Sequence, residues 1–450
     1  MAADGRADCG ALPGLALSCL IAAGSVSITP DRPLPLAGFT DRLEPFTAVA
    51  DPLELNTLLL RTPEATLAIL TADLLFVTED LKHRVAAMVR PDLALDDASF
   101  LFAASHTHFA PAADPSKPRL GPVDPAYVDL VAERAAALLR RLASAAGGPG
   151  EPRVEYRSGV AAHTINRRRM GWRLSPRAPY LPRRAVLRAP NPTGPRDETV
   201  HVVTLRDASG RPAAVLWSYA CHPVSFAEPR HVSADYPGVV RRALRAALGS
   251  DIPVLFLQGC AGDIRPRELG RPRAWRRRFA ELVVGKLFTP FSPSEYRAWS
   301  DSLATRVVEI ARAPGRALPL ASTFRAAHMR VPLAALLDGA SSSTRSVTFQ
   351  RLEVAPGIAI AGVSAEPVAE YGLAMCAAAP PEEAVIPVGY TDSVFGYLPT
   401  ARMLGQHGYE DEGFMDSFGI TGRFRPDLEQ VVQRTWAGLR ERSAVTRDRR

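Results

Sequence analysis

Four side chains capable of metal or acid–base chemistry follow short apolar runs instead of lying within them. His106 and His108 come directly after the run 100–104, in Ser105-His-Thr-His-Phe-Ala-Pro111. His222 follows the run 213–219, in Tyr219-Ala-Cys-His-Pro223, and Glu366 follows 359–363, in Gly362-Val-Ser-Ala-Glu-Pro367. Residues two apart in an extended chain point to the same side, so both imidazoles of the pair are placed to face one cleft. Two imidazoles and one carboxylate form a hydrolytic zinc set that leaves a position for water. Each residue also has an ordinary reading: a hydrogen-bonded or surface histidine pair, a buried histidine before proline, an acid favoured by a helix dipole. Recurrence at three separate strand ends favours the metal, because strand ends in layered α/β folds collect ligands and catalytic groups.

The other polar candidates divide simply. His163, close to Asn166-Arg167, is placed to line the same cleft, while His83, His201, His231, His328 and His407 read as surface or structural. Asp263 and Asp235 are candidates to orient liganding imidazoles. Asp235 also suits a helix cap, and the cap is the favoured role.

The elements that must hold these residues alternate along the chain. The runs 67–70, 100–104, 253–257 and 359–363 read as buried strands. Asp124-Pro125 opens a helix, with Val128, Val131, Ala135, Leu138 and Leu142 at helical spacing and Gly147 and Gly148 to close it. The runs 202–205 and 213–219 flank a polar turn, Asp207-Ala-Ser-Gly-Arg-Pro212, and read as a hairpin. A second helix starts at Asp235 and ends before Gly249, and a third starts near Pro367. This order predicts an α/β fold, layered sheets covered by helices. No composition shift divides the chain, so one domain over 20–450 is expected behind an N-terminal extension, 1–19.

Composition narrows the class. The chain has 450 residues, 47% apolar and 22% charged, which suffices for a sizeable core. Its formal charge of +7 comes almost wholly from arginine. The densest arginine run, 265–278, is broken by Trp275 and prolines and matches no nucleic-acid module. Five cysteines without a CxxC pair suggest neither a disulfide framework nor a thiolate zinc site. The N-terminal apolar stretch, Ala11 to Ala23, is interrupted and lacks a basic lead, so no signal peptide or transmembrane segment is expected. A reducing, cytoplasmic location follows as an expectation.

Several motifs in order resemble the neutral, non-lysosomal ceramidase family. They are Ile28-Thr-Pro with Pro35-Leu-Ala-Gly-Phe-Thr-Asp-Arg42, the histidine-pair motif, Tyr219 to Ser225, Ser233-Ala-Asp-Tyr-Pro-Gly238, Gln258-Gly-Cys-Ala-Gly-Asp-Ile264, Gly362 to Pro367, Gly396-Tyr-Leu-Pro-Thr400 and Tyr409-Glu410. The resemblance implies a catalytic domain of that family, without its immunoglobulin-like C-terminal domain, holding one Zn2+ through His106, His222, Glu366 and Tyr397. It further implies substrate contacts from His108, Arg167 and Tyr409, with Arg168 or Arg169 as replacements for Arg167. The family's glycine-rich turn after the pair is replaced by Phe109-Ala-Pro-Ala-Ala-Asp114.

The implied reaction is zinc-assisted hydrolysis of the amide bond of an N-acyl substrate, ceramide-like or a more soluble N-acyl amine. His108 is the expected general acid, because an ordinary histidine titrates near neutrality. Tyr409 and Arg167 are the expected donors to the developing oxyanion. A biosynthetic acyl-transfer or cyclisation enzyme would use the same zinc site. A non-enzymatic polyanion binder built on 265–278 would instead lose affinity steeply with salt.

Overall fold

The computed structural model describes residues 20–40, 42–62, 65–145, 151–174, 181–249, 252–268, 275–320, 324–339 and 345–448. The expected extension 1–19 and the glycines expected to close the first long helix lie outside these residues. That helix is Pro125–Ala143, and the Asp124 carboxylate caps it by accepting from the Ala126 and Tyr127 amides.

Three sheets form the centre. The first orders Leu20–Ser27, Glu54–Arg61, Thr66–Ala72 and Phe100–Ala104, antiparallel except for the last pair. The second orders Val254–Gln258, Pro212–Tyr219, Thr199–Arg206, Arg153–Val160 and Arg316–Pro319, with only its first pair parallel. The third orders Arg325–Pro332, Ser346–Ala355, Ile358–Val363 and Ala384–Val388, again ending in a parallel pair. The expected hairpin forms between Thr199–Arg206 and Pro212–Tyr219. Its turn is built by Asp207, whose carboxylate accepts the Ser209 and Arg211 amides, and by Gly210 at φ 82°.

Strand alternation sends side chains to two faces of each sheet. The inner faces meet in one apolar layer. Leu58, Leu67 and Ile69 enter it from the first sheet, Leu205, Leu216 and Leu257 from the second, and Leu352, Ile360 and Ile386 from the third. Helices cover the outer faces. Glu79–Val89 and Pro125–Ala143 pack with Leu59, Leu70 and Phe102 of the first sheet. Asp235–Leu248 and Pro293–Arg312 pack with Val202, Trp217 and Phe256 of the second, and Leu428–Asp448 with Val347 and Phe349 of the third. The fold is thus α/β, as expected, with a difference in the layering: the sheets cover one another on their inner faces. Periodicity in a sequence reports that a face is buried, not what buries it.

Candidate metal centre

Beyond Ala104 the chain does not continue extended. The Ser105 amide donates to Ala72 and the His106 amide to Leu74, folding the segment over the end of the neighbouring strand. His106 adopts φ 64°, a left-handed conformation that costs a non-glycine residue about 1–3 kcal/mol and is tolerated where the surroundings over-determine it. The two imidazoles therefore converge through a turn and not through strand alternation. Their ring centroids are 5.0 Å apart and nearly perpendicular.

His222 follows Pro212–Tyr219, and its ring centroid lies 4.6 Å from that of His106. Glu366 is not a helix N-terminal acid. Glu366–Pro367 is a short strand parallel to Tyr397–Leu398, with Glu366 directly opposite Tyr397, and the next helix starts only at Ala369. All of these groups, His106, His222, Glu366 and Tyr397, are buried.

The tautomers follow from the hydrogen bonds. His106 Nδ1 is 2.9 Å from the Leu75 carbonyl oxygen, and His222 Nδ1 is 3.0 Å from that of Ala261. A carbonyl oxygen only accepts, so each Nδ1 carries hydrogen and donates. Burial pushes His106 down to about 3 and His222 well below the ordinary histidine range, so both rings are neutral and both Nε2 atoms are lone pairs. Those two Nε2 atoms lie 3.0 Å apart. Glu366 Oε2 lies 3.5 and 3.6 Å from them and has no hydrogen-bond partner. Burial pushes the Glu366 carboxyl up to about 7, outweighing the opposing pull of Tyr397, Arg167 and Lys117. With the carboxylate ionised, three acceptors face one point, and a cation between them would relieve their repulsion.

The ligand atoms of His106, His108 and His222 also fall within 4.8 Å of one another, so this buried group could hold a metal ion. Two donor sets therefore share His106 and His222, one completed by Glu366 and the other by His108. Neither His108 ring nitrogen has a hydrogen-bond partner. Burial holds His108 well below the ordinary range, so it is neutral in this structure, unlike the near-neutral titrating acid expected from its residue type.

A second group of side chains closes around this centre. The Tyr397 and Tyr409 rings are 5.3 Å apart, edge to face, and the Arg167 guanidinium lies 5.5 and 5.6 Å from their centroids. The Tyr397 hydroxyl interacts with both Glu366 and Arg167. Arg167 Nε donates to Glu410 Oε1 at 2.8 Å, while its Nη2 is buried without a partner. Arg168 bonds Glu410 and Gln406, and Arg169 bonds the Lys286 carbonyl, so neither replaces Arg167 beside the tyrosines.

Other expected residues lie elsewhere. Asp263 accepts from Asn166 Nδ2 at 2.7 Å and from the Ala369 amide at 2.8 Å, and backbone carbonyls take the imidazole hydrogens instead. Asp235 is the first residue of its helix and not its cap. Its carboxylate accepts from Tyr236, Tyr296 and Ser225. His163 bonds Ser302 and packs on Trp299, away from the centre.

Three contributors escaped the sequence reading. Tyr390 packs against His106, its ring tilted by 38° at 4.3 Å, with its hydroxyl beside Glu366. Glu410 holds Arg167 and Arg168. Gly38, at φ 100°, lies against His108 so closely that an added Cβ would collide with the ring. Gly38 and Glu410 stood inside quoted motifs, and their residue types were the available signal; Tyr390 stood in none.

Fold and centre together define a layered α/β protein with a buried, metal-capable histidine group at the ends of its strands. Among solved structures it is similar to neutral ceramidase from Pseudomonas aeruginosa, with a TM-score of 0.71 and 15% identity over 95% of this chain and 75% of that one. A ceramidase complexed with C2 gives a TM-score of 0.71 at 15% identity, over 95% and 76%. At this identity the likeness establishes the fold. No family model and no curated protein matches the sequence.

Proposed function

We propose that this chain is a zinc-dependent hydrolase that cleaves the amide bond of an N-acyl substrate, ceramide-like or a more soluble N-acyl amine. The observation that carries the reading is the pair of neutral imidazoles whose Nε2 lone pairs face each other at 3.0 Å beside an unpaired Glu366 oxygen. Nitrogen and oxygen donors of this kind suit zinc. His106, His222, Glu366 and Tyr397 would hold it, and the left-handed turn at His106 pre-positions the first of them. The ceramidase fold and the ordered motifs supply the reaction class.

Zinc in such a site contributes a Lewis acid for the scissile carbonyl and eases proton loss from water near neutral pH. The chain's own groups do the rest. His108, neutral and held by no other side chain, takes the proton that the attacking water releases and passes it to the departing amine. Arg167 Nη2 and the Tyr409 hydroxyl donate to the oxygen on which charge develops. Glu410 fixes Arg167 for that task.

The test is metal content and amide turnover measured together. The purified protein should carry about one zinc per chain. His106→Ala and His222→Ala should each lose zinc and activity in parallel. A doubly substituted protein that keeps full zinc occupancy would refute the site.

A further inference from the structure

The arginine-rich segment plays no part in the centre described above. Its helix, Trp275–Val284, places Trp275, Phe279 and Leu282 at i, i+4 and i+7, which is one stripe of the helix. A surface helix ordinarily turns such a stripe inward. Here the three side chains are 73%, 64% and 82% exposed, with exposed Arg276 and Arg278 between them.

A second projecting element stands beside it. In the hairpin Thr164–Leu174 and Pro182–Asn191, Met170 and Trp172 share a strand face with Arg168, and Trp172 is 66% exposed opposite Arg184. The two elements meet where Arg169 donates to the Lys286 carbonyl and lies against Gly285. Nearer the core the same hairpin carries Arg188, whose guanidinium sits 4.8 Å above the Tyr409 ring. Arg188 pairs with Arg168 on the face that carries Met170 and Trp172, so that face runs from the exposed ring to the rim of the candidate site, while Arg169 reaches the helix from the opposite face.

Exposed apolar side chains grouped in this way mark an interaction surface. Its charge selects the partner. Glu281, an acid within the helix, is paired with Lys286, and Arg183, Arg184, Arg276 and Arg278 are exposed around the aromatic groups. Tryptophan, phenylalanine and leucine beside arginine suit a helix lying in a membrane interface, with rings at the acyl boundary and guanidiniums among phosphates. No helix among the described residues is long and apolar enough to span a bilayer.

We infer that the helix Trp275–Val284 and the strand face around Trp172 dock on an anionic lipid surface. The inference stands independently of the amide chemistry, though it would bring the rim of the site to where an N-acyl lipid lies.

The experiment is co-sedimentation of the full chain with vesicles of phosphatidylcholine alone or phosphatidylcholine with phosphatidylglycerol, at low and high salt. Binding should require the anionic lipid and weaken with salt. Arg276→Glu with Arg278→Glu should lower affinity more than about tenfold, since each surface arginine contributes about fivefold. Phe279→Ser with Leu282→Ser should also lower it, with circular dichroism and melting temperature unchanged because both side chains are exposed. No binding to anionic vesicles would overturn the inference. So would binding insensitive to the apolar pair, which would indicate a simple polyanion surface, or a concentration-dependent dimer abolished by that pair, which would indicate a second copy as occupant. Zinc content and amide turnover in the same variants report separately on the proposed function.

Discussion

At the level of single residues, the centre depends on which group completes the pair His106 and His222. Glu366 is held opposite Tyr397 by strand pairing, with Oε2 turned to both imidazoles. His108 is at the edge of the group, packed against the exposed ring of Phe39 at 5.1 Å. A ligand belongs with the first description and a proton carrier with the second. His108→Ala should therefore retain zinc and lose turnover, whereas Glu366→Gln should lose zinc; the reverse pattern in metal analysis would assign the three-histidine set. Gly38 offers an independent probe of the same ring. Gly38→Ala forces a Cβ into His108 at a backbone angle that side chains rarely adopt, so zinc should stay while kcat falls. Tyr409→Phe should likewise keep zinc and lose roughly 10²–10³ in turnover, as loss of an oxyanion donor does. Rates equal to wild type would remove Tyr409 from the reaction. The histidines and Glu366 were legible because apolar runs preceded them. Gly38 was not marked out, because its role is an absence of atoms beside a residue far away in sequence.

At the level of elements, the turn Tyr409–Gly413 connects Tyr409, the proposed oxyanion donor, to the arginine pair. Glu410 accepts from Arg167 through one oxygen and from Arg168 through the other, all three groups being buried. Burial pushes the Glu410 carboxyl up, but the two guanidiniums outweigh it and hold the group below the ordinary glutamate range. A carboxylate depressed in the native state adds stability that is complete above its unfolded pKa, near ~4.3, and lost as pH falls through the native value. Glu410→Gln should cost roughly 3–5 kcal/mol at neutral pH, because it leaves two buried cations under-compensated. It should also flatten the acid limb of the stability profile. Urea midpoints across pH would check both, and parallel profiles for the two proteins would show that Glu410 is not the titrating group. In sequence, Tyr409-Glu410 was visible as a motif. That Glu410 binds residues 167 and 168 was not, since the partners are joined only by the packing of a distant hairpin.

At the level of the whole molecule, the strands and helices expected from sequence differ only slightly in their bounds, but others, Glu79–Val89, Pro293–Arg312 and Leu428–Asp448 among them, were not expected, and neither was the arrangement. Phe100–Ala104 matched the expected run, and Thr66–Ala72 extended it by a residue or two at each end. Nothing in those runs distinguishes a face covered by a helix from one covered by another sheet, because both present the same alternation of Leu, Ile and Val. The consequence for stability is specific. Ile360, Leu216 and Leu58 come from three different sheets and share one core layer, so no sheet can lose its inner cover without exposing the others. We therefore expect the domain to unfold as one unit, with the centre lost in the same transition. Ile360→Ala, at a fully buried position, should destabilise it by about 2–5 kcal/mol through the cavity it leaves. Far-ultraviolet circular dichroism and tryptophan fluorescence should report coincident transitions in wild type and variant, with zinc release at the same denaturant concentration. Trp217 is on the outer face of the second sheet and Trp436 packs against Phe349 of the third, so the fluorescence samples both sides of the shared layer. Two separated transitions would mean that the sheets belong to independent units, and would place the metal centre at a boundary instead of within one fold.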